Sequence, residues 1–537
     1  MAIAALLVAN RGEIAARIFR TCARLGVRTV AVVAPDDAGA YHARQADRVV
    51  AVPSYLDAAA LVAAAHEAGA DAIHPGYGFL SEQAAFAEAV QAAGLTWVGP
   101  PPAATRQAGD KLQARAVALA AGVPVLPSGE PDEVGFPLIV KAAGGGGGRG
   151  MRVVEGADAL AEALEAARRE AAAAFADDRV YCERYVPDAR HVEVQLLADA
   201  HGTVLALGER DCSIQRRHQK VLEESPSPAV GPALRARLFA AATAFARAVG
   251  YVTAGTAEFL VSGEDAWFLE LNARIQVEHP VTELVTGLDL VELQLRVAAG
   301  ERLDPGVEPA GHAIEARLYA EHPLTLLPQA GRVESLVLPD GVRVDAGVAA
   351  GDEVPLRYDP MIAKLIAHGA DRDEALARLE AALAATRVGG VTTNLPLLRW
   401  LVAHPVVRAG EATTAFLREN PPLTDPRPAR GAFARPFRLN AAEAPPGPPP
   451  PSVEVALERH GGAAGAGDAL VAPMPGTVIR VDVAEGDRVE ARAPLVVLEA
   501  MKMELPVAAP LAGVVTRVHV AVGDRVTGGQ VLVELED

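Results

Sequence analysis

Lysine is scarce in this chain of 537 residues, where five lysines stand against 45 arginines. Arginine supplies charge and forked hydrogen bonds, but it does not readily act as an amine nucleophile or as an acylation target. The retained lysines therefore indicate positions where the ammonium group itself matters, and codon bias with chance survivors is the alternative. They are Lys111, Lys141, Lys220, Lys364 and Lys502.

Cysteine is also scarce, with three residues, and the net charge is negative. Cys22, Cys182 and Cys212 lie far apart without a CxxC pair, which argues against structural zinc and for a reducing compartment. The net charge of −18 makes nucleic acid and anionic membranes poor partners. The apolar start, Met1–Asn10, lacks a basic region and a spanning length, so it is predicted to be a buried strand. The absence of a targeting segment predicts a cytoplasmic protein.

Half of the residues are apolar, which is enough for large cores in three or four domains. Strand and helix patterns alternate over residues 1–108, with strands at Leu6–Ala9 and Arg28–Ala34 and a helix at Gly12–Leu25. Such alternation predicts a parallel sheet with helices on its faces.

Beyond residue 108 the predicted boundaries follow changes in composition. Residues 109–310 carry most of the polar motifs, residues 311–425 mix α and β patterns, and a Pro/Gly-rich linker covers 426–467. Pro445–Pro451 cannot sit inside a helix or a central strand, so it predicts a stiff polyproline II spacer. The last domain is predicted over 468–537.

An internal repeat fills the C-terminal stretch. Ala472–Val489 aligns with Ala509–Val526 at an offset of 37, and 12 of the 18 aligned positions are identical. Alternating valines and Gly-Asp turns predict an all-β unit, and two similar halves predict a small sandwich with approximate two-fold symmetry. Lys502 lies in the connection between the halves, where a β-turn would place it at the tip of a hairpin.

A glycine run follows a predicted strand in the second domain. Ile139–Ala143 precedes Gly144–Gly148, and a loop without Cβ atoms lets backbone N–H groups approach phosphate oxygens. The run lacks the GK[ST] ending of a P-loop. A surface linker is the alternative, but the flanking apolar strand with Lys141 and the following Arg149 argue against it.

Polar and apolar residues alternate strictly over Glu270–Glu278. A strand would place the five polar side chains on one face, which would extend roughly 26 Å at about 3.3 Å per residue. Because that is long for one site, the later part is expected to bend back. An edge strand with a solvated face is the alternative.

The residue types on this stretch suit phosphate and metal chemistry. Glu258, on the preceding apolar run Ala257–Val261, joins Glu270 and Asn272 as a set of hard oxygen donors that suits Mg²⁺. Arg274 could clamp an oxyanion, and Glu278 could serve as a base.

A third polar stretch, Glu209–Lys220, is basic. Taken alone it predicts an exposed helix or loop, with no preference between this and a functional role. Neither Cys212 nor His218 belongs to a cluster of metal ligands, so no metal site is predicted there.

These stretches together resemble the biotin carboxylases of the ATP-grasp superfamily, from Asn10–Ala15 to about residue 400. The C-terminal 70 residues resemble a biotin carboxyl carrier domain, with Glu499–Glu504 as the biotinylation motif. The context of Arg317 and the stretch Tyr358–Lys364 look like the α subunits of acyl-CoA carboxylases. The resemblance implies an α/β Rossmann-like N-terminal domain, an ATP-grasp domain, a mixed α+β C-terminal carboxylase domain and an all-β barrel-sandwich biotinyl domain.

The resemblance also implies roles for individual residues. ATP would be held by Lys111, Lys141, Gly145, Gly146, Gly147, Gly148, Glu183 and His191. Mg²⁺ or Mn²⁺ would be bound by Glu258 and Glu270, with Asn272 beside them. Bicarbonate would be held by Lys220, Arg274, Gln276 and the Val277 backbone. Glu278 would deprotonate bicarbonate, Arg317 would stabilise the enolate oxygen of biotin, and Lys502 would carry biotin as an amide.

The implied activity is ATP-dependent carboxylation of carrier-bound biotin through carboxyphosphate, the first half-reaction of an acyl-CoA carboxylase. The implied partners are a separate carboxyltransferase subunit, a biotin protein ligase and further copies of the chain, without nucleic acid or membrane. The domain that docks the transferase in longer relatives is missing here or reduced to Val453–Arg459.

Three alternatives stay open at the level of sequence. The chain could be the corresponding subunit of a pyruvate carboxylase, or a carrier with an inactive ATP-grasp scaffold, against which the intact set of lysines and glutamates argues. Lys502 could be lipoylated, although Met501 and Met503 favour biotin.

Overall fold

The computed structural model describes most of the chain in 14 stretches, namely residues 3–143, 151–175, 177–216, 219–304, 306, 308–323, 326–355, 357–421, 469–473, 476–491, 493–500, 503–510, 512–527 and 529–536. The glycine run with Gly145, Gly146, Gly147 and Gly148, the predicted linker and Lys502 lie outside the described residues. The chain divides into two compact units. The larger comprises Met1–Leu326, Arg332–Glu353 and Met361–Pro451, and the smaller comprises Leu327–Gly331, Val354–Pro360 and Ser452–Asp537.

The N-terminal part is a five-stranded parallel sheet in the order β3-β2-β1-β4-β5. Its strands are β1 (Ala5–Val8), β2 (Arg28–Val33), β3 (Arg48–Ala51), β4 (Ala72–His74) and β5 (Thr96–Trp97), and its helices are α1 (Gly12–Leu25), α2 (Ala58–Ala68) and α3 (Ala84–Ala92). Every residue of β1 is buried, as expected for a parallel strand covered on both faces. The predicted parallel sheet is confirmed.

A small antiparallel sheet follows in the order β6-β9-β7-β8. Its elements are α4 (Pro102–Gly109), α5 (Lys111–Ala120), β6 (Ser128–Gly129), α6 (Pro131–Val134), β7 (Leu138–Ala142), β8 (Arg152–Val154), α7 (Leu160–Phe175) and β9 (Val180–Arg184). The Asp110 carboxylate accepts hydrogen bonds from two backbone N–H groups at the start of α5, which fixes the direction in which this helix leaves the loop.

The centre of the larger unit is an eight-stranded sheet in the order β14-β13-β10-β11-β12-β15-β20-β18. The strands and helices from here to residue 419 are β10 (Arg190–Ala198), β11 (Val204–Arg216), β12 (Gln219–Ser225), α8 (Pro232–Ala248), β13 (Thr253–Ser262), β14 (Asp265–Asn272), α9 (His279–Thr286), α10 (Leu290–Ala298), β15 (His312–Tyr319), β16 (Gly331–Arg332), β17 (Ser335–Val337), β18 (Arg343–Ala346), β19 (Glu353–Val354), β20 (Met361–Gly369), α11 (Arg372–Ala385), β21 (Arg387–Gly389), α12 (Leu395–Ala403), α13 (Pro405–Arg408) and α14 (Phe416–Glu419).

Two local predictions are corrected or refined by this sheet. The exposed helix or loop predicted over Glu209–Lys220 is wrong, because the stretch forms most of β11 and the start of β12 inside the sheet. Charged residues of this stretch that the structure describes are tolerated there because they have partners, as Arg210 has in Glu193 and Asp211 has in Arg190. The alternating stretch Glu270–Glu278 leaves the sheet after Asn272, which confirms the expected bend.

The C-terminal part consists of two four-stranded sheets, β22-β29-β27-β24 and β26-β25-β23-β28. The strands are β22 (Ala469–Val471), β23 (Gly476–Val481), β24 (Arg488–Val489), β25 (Pro494–Ala500), β26 (Met503–Ala508), β27 (Gly513–Val518), β28 (Arg525–Val526) and β29 (Val531–Glu536). Matching repeat residues Val478 and Val515 are both buried in its core. β23 pairs with β28 and β27 pairs with β24, so the predicted two-fold sandwich is confirmed.

Among the described residues, no helix has both the length and the apolar character needed to cross a membrane.

Candidate active site

A row of charged side chains crosses four neighbouring strands of the central sheet. The register places Glu270 of β14 opposite Glu258 of β13, Glu258 opposite Glu193 of β10, and Glu193 opposite Arg210 of β11. Directly opposed residues share a face of the sheet, so these four side chains lie side by side. The strand register, rather than proximity in sequence, assembles this part of the site.

Lys220 contacts three carboxylates, two of which belong to this row. Its Nζ donates to Glu193 Oε2 at 2.5 Å, Glu278 Oε1 at 2.7 Å and Glu258 Oε1 at 3.0 Å. Burial disfavours the charged amine, but the three carboxylates outweigh it and raise the pKa of Lys220 well above its usual value. The side chain is therefore a fixed positive charge at neutral pH.

Glu278 lies between two cations at the start of α9. One carboxylate oxygen accepts from Lys220, and the other, Oε2, lies 3.1 Å from Arg317 Nη2. The side chain is fully buried, which opposes ionisation, but Lys220, Arg317 and then Arg210 hold the pKa of Glu278 well below its usual range. Glu278 is thus an ionised carboxylate, able to accept a proton.

Arg317 connects Glu278 to a second group of acids. Its Nε lies 2.5 Å from Glu223 Oε1, and Glu223 stands opposite Glu315 in the β12–β15 pair. Burial raises the pKa of Glu223 to about 7 although Arg317 opposes the shift, and burial also raises the pKa of Glu315. Neither Glu315 oxygen has a hydrogen-bond partner among the residues that the structure describes. Burial thus shifts both carboxyl groups toward their protonated forms, while Arg317 keeps Glu223 as an ion-pair partner.

The oxygen donors predicted for a metal lie together. Glu258 and Glu270 are neighbours in register, and Glu258 Oε1 accepts from Asn272 Nδ2 at 2.8 Å. Lys111 Nζ lies 3.2 Å from Glu270 Oε2, so a cation already faces this edge. Two carboxylates with an amide oxygen beside them form the hard donor set that Mg²⁺ or Mn²⁺ takes, and the residues present fit such an ion.

The bend after Asn272 brings the later polar residues back to the row. Gln276 Nε2 donates to Glu258 Oε1 at 3.0 Å, so this amide reaches the same oxygen as Asn272. Arg274 extends across the bend, with Nη1 2.9 Å from Gln276 Oε1 and Nη2 3.1 Å from Asn272 Oδ1. Arg274 contacts these amides and Glu82 rather than Glu278 in this geometry.

The residues predicted to hold ATP lie on either side of the row. The backbone N–H of Lys111 donates to Ala143 O at 3.0 Å, which ties the start of α5 to the end of β7. Lys141, on β7, forms an ion pair with Glu183 of β9. His191 Nε2 lies 3.1 Å from Glu258 Oε2. Lys111 and His191 therefore contact Glu270 and Glu258 of the row, whereas Lys141 and Glu183 pair with each other on the small sheet.

Sequence reasoning missed several charged residues that support the site. Arg210 is completely buried and donates to Glu193, Gln195, Thr256 and Thr282. The missed carboxylates are Glu193, Glu223 and Glu315, all fully buried. A single charged residue inside a valine-rich strand, as in Val192-Glu193-Val194, is the signal that could have found them.

Four family profiles match in succession along the chain. They are the biotin carboxylase N-terminal domain at residues 2–105, the ATP-binding domain of the carbamoyl-phosphate synthase L chain at 110–305, the biotin carboxylase C-terminal domain at 315–419 and the domain of biotin-requiring enzymes at 468–535. Fold and site together define a ligase of the ATP-grasp type.

The relatives narrow this class further. Biotin carboxylase 2 of Bacillus subtilis is 47% identical over 439 residues, which cover 77% of this chain and 99% of that protein. The mitochondrial methylcrotonoyl-CoA carboxylase subunit alpha of Arabidopsis thaliana is 46% identical over 442 residues, with 77% of this chain but 60% of that subunit aligned. The chain belongs to the biotin carboxylase family. It is a ligase that uses ATP to carboxylate biotin, and a biotin domain is present on the same chain.

Solved structures agree with this membership. The Campylobacter jejuni biotin carboxylase, solved as a β-γ-ATP complex, is 40% identical with a TM-score of 0.76, covering 78% of this chain and 99% of that one. The biotin carboxylase domain of the Hydrogenobacter thermophilus 2-oxoglutarate carboxylase, with MgADP, ADP and bicarbonate, is 39% identical with a TM-score of 0.77 and coverages of 78% and 98%.

Proposed function

We propose that this chain performs the biotin carboxylation of an acyl-CoA carboxylase, with biotin attached to its own Lys502, and delivers the carboxyl group to a separate carboxyltransferase subunit. The likeness to a methylcrotonoyl-CoA carboxylase subunit supports this assignment. A pyruvate carboxylase subunit is the rival, and its partner would be a different transferase. The observation that carries the proposed chemistry is Glu278 held between Lys220 and Arg317.

Glu278 is the base of the proposed reaction. Bicarbonate would be held by Lys220, Arg274, Gln276 and the Val277 backbone, and Glu278 would take its proton. The bicarbonate oxygen would then attack the γ-phosphate of ATP, forming carboxyphosphate as the bond to the β-phosphate breaks and ADP leaves. Bicarbonate that engages Lys220 draws this cation away from Glu278, which raises the affinity of the carboxylate for a proton. The ion pairs with Lys220 and Arg317 therefore keep Glu278 ionised until bicarbonate replaces the contact with Lys220.

The remaining residues would bind ATP and offset the negative charge of its phosphates and of biotin. Lys111, Lys141, Gly145–Gly148, Glu183 and His191 would hold ATP. A Mg²⁺ or Mn²⁺ ion, when bound by Glu258 and Glu270 with Asn272 beside them, supplies charge at the phosphates. Arg317 would place its guanidinium against the ureido oxygen of biotin, where negative charge develops when the nitrogen loses its proton.

The domain division stays part of the proposal. We assign residues 1–108, 109–310 and 311–425 to the three parts of the carboxylase, 426–467 to a linker and 468–537 to the biotinyl carrier. A homo-oligomer within a larger complex and a biotin protein ligase are the further proposed partners. The cytoplasmic location remains a prediction.

The proposal is tested by two measurements on the purified chain. Release of ADP should depend on both bicarbonate and free biotin, and a chain that releases no ADP under these conditions would contradict the proposed chemistry. Affinity capture from the native host should then bring down a carboxyltransferase. Identification of a pyruvate-specific transferase would favour the rival assignment.

A further inference from the structure

Lys364 is the one lysine to which the proposed reaction gives no role. It lies on β20, and its side chain is 0% exposed. A buried ammonium group is costly unless its charge is offset and its protons are donated to acceptors. The contacts of Lys364 therefore indicate why lysine stands here in a chain whose basic residues are mostly arginine.

Three oxygens from three different segments surround Lys364 Nζ. It lies 3.1 Å from Glu13 Oε2 on α1 and 3.8 Å from Asp345 Oδ2 on β18, and these two carboxylates offset its charge. The third contact, and the shortest, is a hydrogen bond of 2.8 Å to the backbone carbonyl of Val277. That carbonyl belongs to the peptide group that joins Val277 to Glu278.

This peptide group lies in the bend rather than in a strand. Because β14 ends at Asn272, ladder hydrogen bonds of the sheet do not extend to Val277. Lys364 stands directly opposite Arg317 in the β15–β20 pair, so it approaches the bend from the strand next to the one that carries Arg317. The main chain of Glu278 is thus held by Lys364, while its carboxylate is held by Lys220 and Arg317.

We propose that Lys364 is a positioning residue, which holds the Val277 carbonyl and thereby fixes the bend on both sides of it, so that the Val277 backbone meets bicarbonate and Glu278 meets the proton that it removes. This inference rests on the proposed roles of Val277 and Glu278. A compact ammonium group on a flexible stem can reach one carbonyl between two carboxylates, whereas a planar guanidinium presents a fork of donors. The contact explains why lysine is found here.

Two variants separate this role from a merely structural one. Glu13→Gln removes one charged partner of Lys364 but leaves the contact with Val277. Glu13→Gln/Lys364→Met removes the cation together with that carboxylate, while Asp345 keeps Arg343 at 2.9 Å. Removing both members of a buried pair avoids the unpaired charge that makes single deletions so destabilising. Both proteins are compared with wild type by thermal unfolding and by steady-state ADP release with free biotin.

The double variant should show a bicarbonate KM raised about 10- to 100-fold, because displacing a substrate-positioning group by about 1 Å can cost about 100-fold. Its KM for ATP should match that of Glu13→Gln, and Glu13→Gln alone should keep a bicarbonate KM near wild type. An equal bicarbonate KM in the two variants would overturn the inference. So would equal increases in both Michaelis constants, because these would indicate a general loss of structure.

A third variant decides the question if the double variant does not fold. Lys364→Arg retains the positive charge between Glu13 and Asp345, and we expect it to raise the bicarbonate KM selectively. A wild-type bicarbonate KM in Lys364→Arg would then overturn the inference. A wild-type protein without bicarbonate-dependent ADP release would instead refute the proposed function, and the role of Lys364 with it.

Discussion

Replacing Glu278 by glutamine removes one negative charge and keeps the size of the side chain. Glu278 is the only residue of the described site that contacts both Lys220, at 2.7 Å, and Arg317, at 3.1 Å. Glutamine cannot accept a proton from bicarbonate, so we expect Glu278→Gln to lower bicarbonate-dependent ADP release about 10²- to 10⁴-fold, the usual contribution of a positioned acid or base. Nucleotide binding should persist, because Glu258 and Glu270 remain.

The structure also bounds the effect on stability. Lys220 keeps Glu193 at 2.5 Å and Glu258 at 3.0 Å, and Arg317 keeps Glu223 at 2.5 Å. Neither cation is left unpaired, so the cost should stay below the roughly 3–5 kcal/mol of a fully broken buried pair. The low pKa of Glu278 in the fold means that its contribution is present above the unfolded value of about 4.3 and lost as the pH falls through the folded value. The difference between wild type and variant should therefore shrink on acidification.

The assay pairs ADP release with equilibrium binding of MgATP, measured by calorimetry on both proteins. A Glu278→Gln enzyme that retains activity within a few-fold of wild type would show that another group takes the proton. A variant that has lost MgATP binding would show instead that Glu278 belongs to the metal or nucleotide site. Lys364→Arg serves as the matched control, because it is expected to disturb the bend while the Glu278 carboxylate is still present.

Three further predictions concern the neighbouring groups. Arg317→Ala should spare part of the bicarbonate-dependent ADP release while blocking transfer of ¹⁴C-carboxyl to free biotin, and loss of nucleotide binding would contradict its role. The pKa of Glu223 is raised to about 7, so its ionisation opposes folding, and its contribution is full below the unfolded value of about 4.3 and lost by the time the pH passes 7; the thermal midpoint of wild type should fall between about pH 4 and pH 7 more than that of Glu223→Gln, and parallel curves would argue against this titration. Lys502→Arg should abolish streptavidin binding and acyl-CoA carboxylation but leave ADP release with free biotin, and equal loss of both activities would contradict a separately folded carrier.

Sequence patterns were sufficient to predict the helices and strands that depend on residues close to one another in sequence. The helix at Gly12–Leu25 was predicted with its observed bounds, because its apolar spacing ends at Gly26, which adopts a φ of 70°. The repeat around Val478 and Val515 predicted the sandwich because the same period-2 pattern occurs twice. Such signals depend on neighbours in sequence, which are visible without a structure.

The charged residues inside the sheet could not be predicted in this way. Arg210 belongs to a run that is polar at almost every position, and a run of that kind is usually exposed. It is buried because Glu193 and Thr256 from strands distant in sequence satisfy its donors. The bend after Asn272 was predicted only because the alternating stretch Glu270–Glu278 is too long for one site. The contact of Lys364 with Val277 follows from no spacing rule. These features depend on register between remote strands, which sequence periodicity does not encode.

The crossed strand pairing of the C-terminal domain has a consequence for whether the domain can be divided. Each half of the repeat supplies a long strand that needs the short strand of the other half, since β23 pairs with β28 and β27 pairs with β24. A single half expressed alone would expose both edges, and a second identical copy could fill them. We therefore expect an isolated half to be unfolded as a monomer and to assemble, if at all, as an intertwined dimer. In such a dimer each copy would supply the short strand that the other copy needs, as the two halves do within this domain.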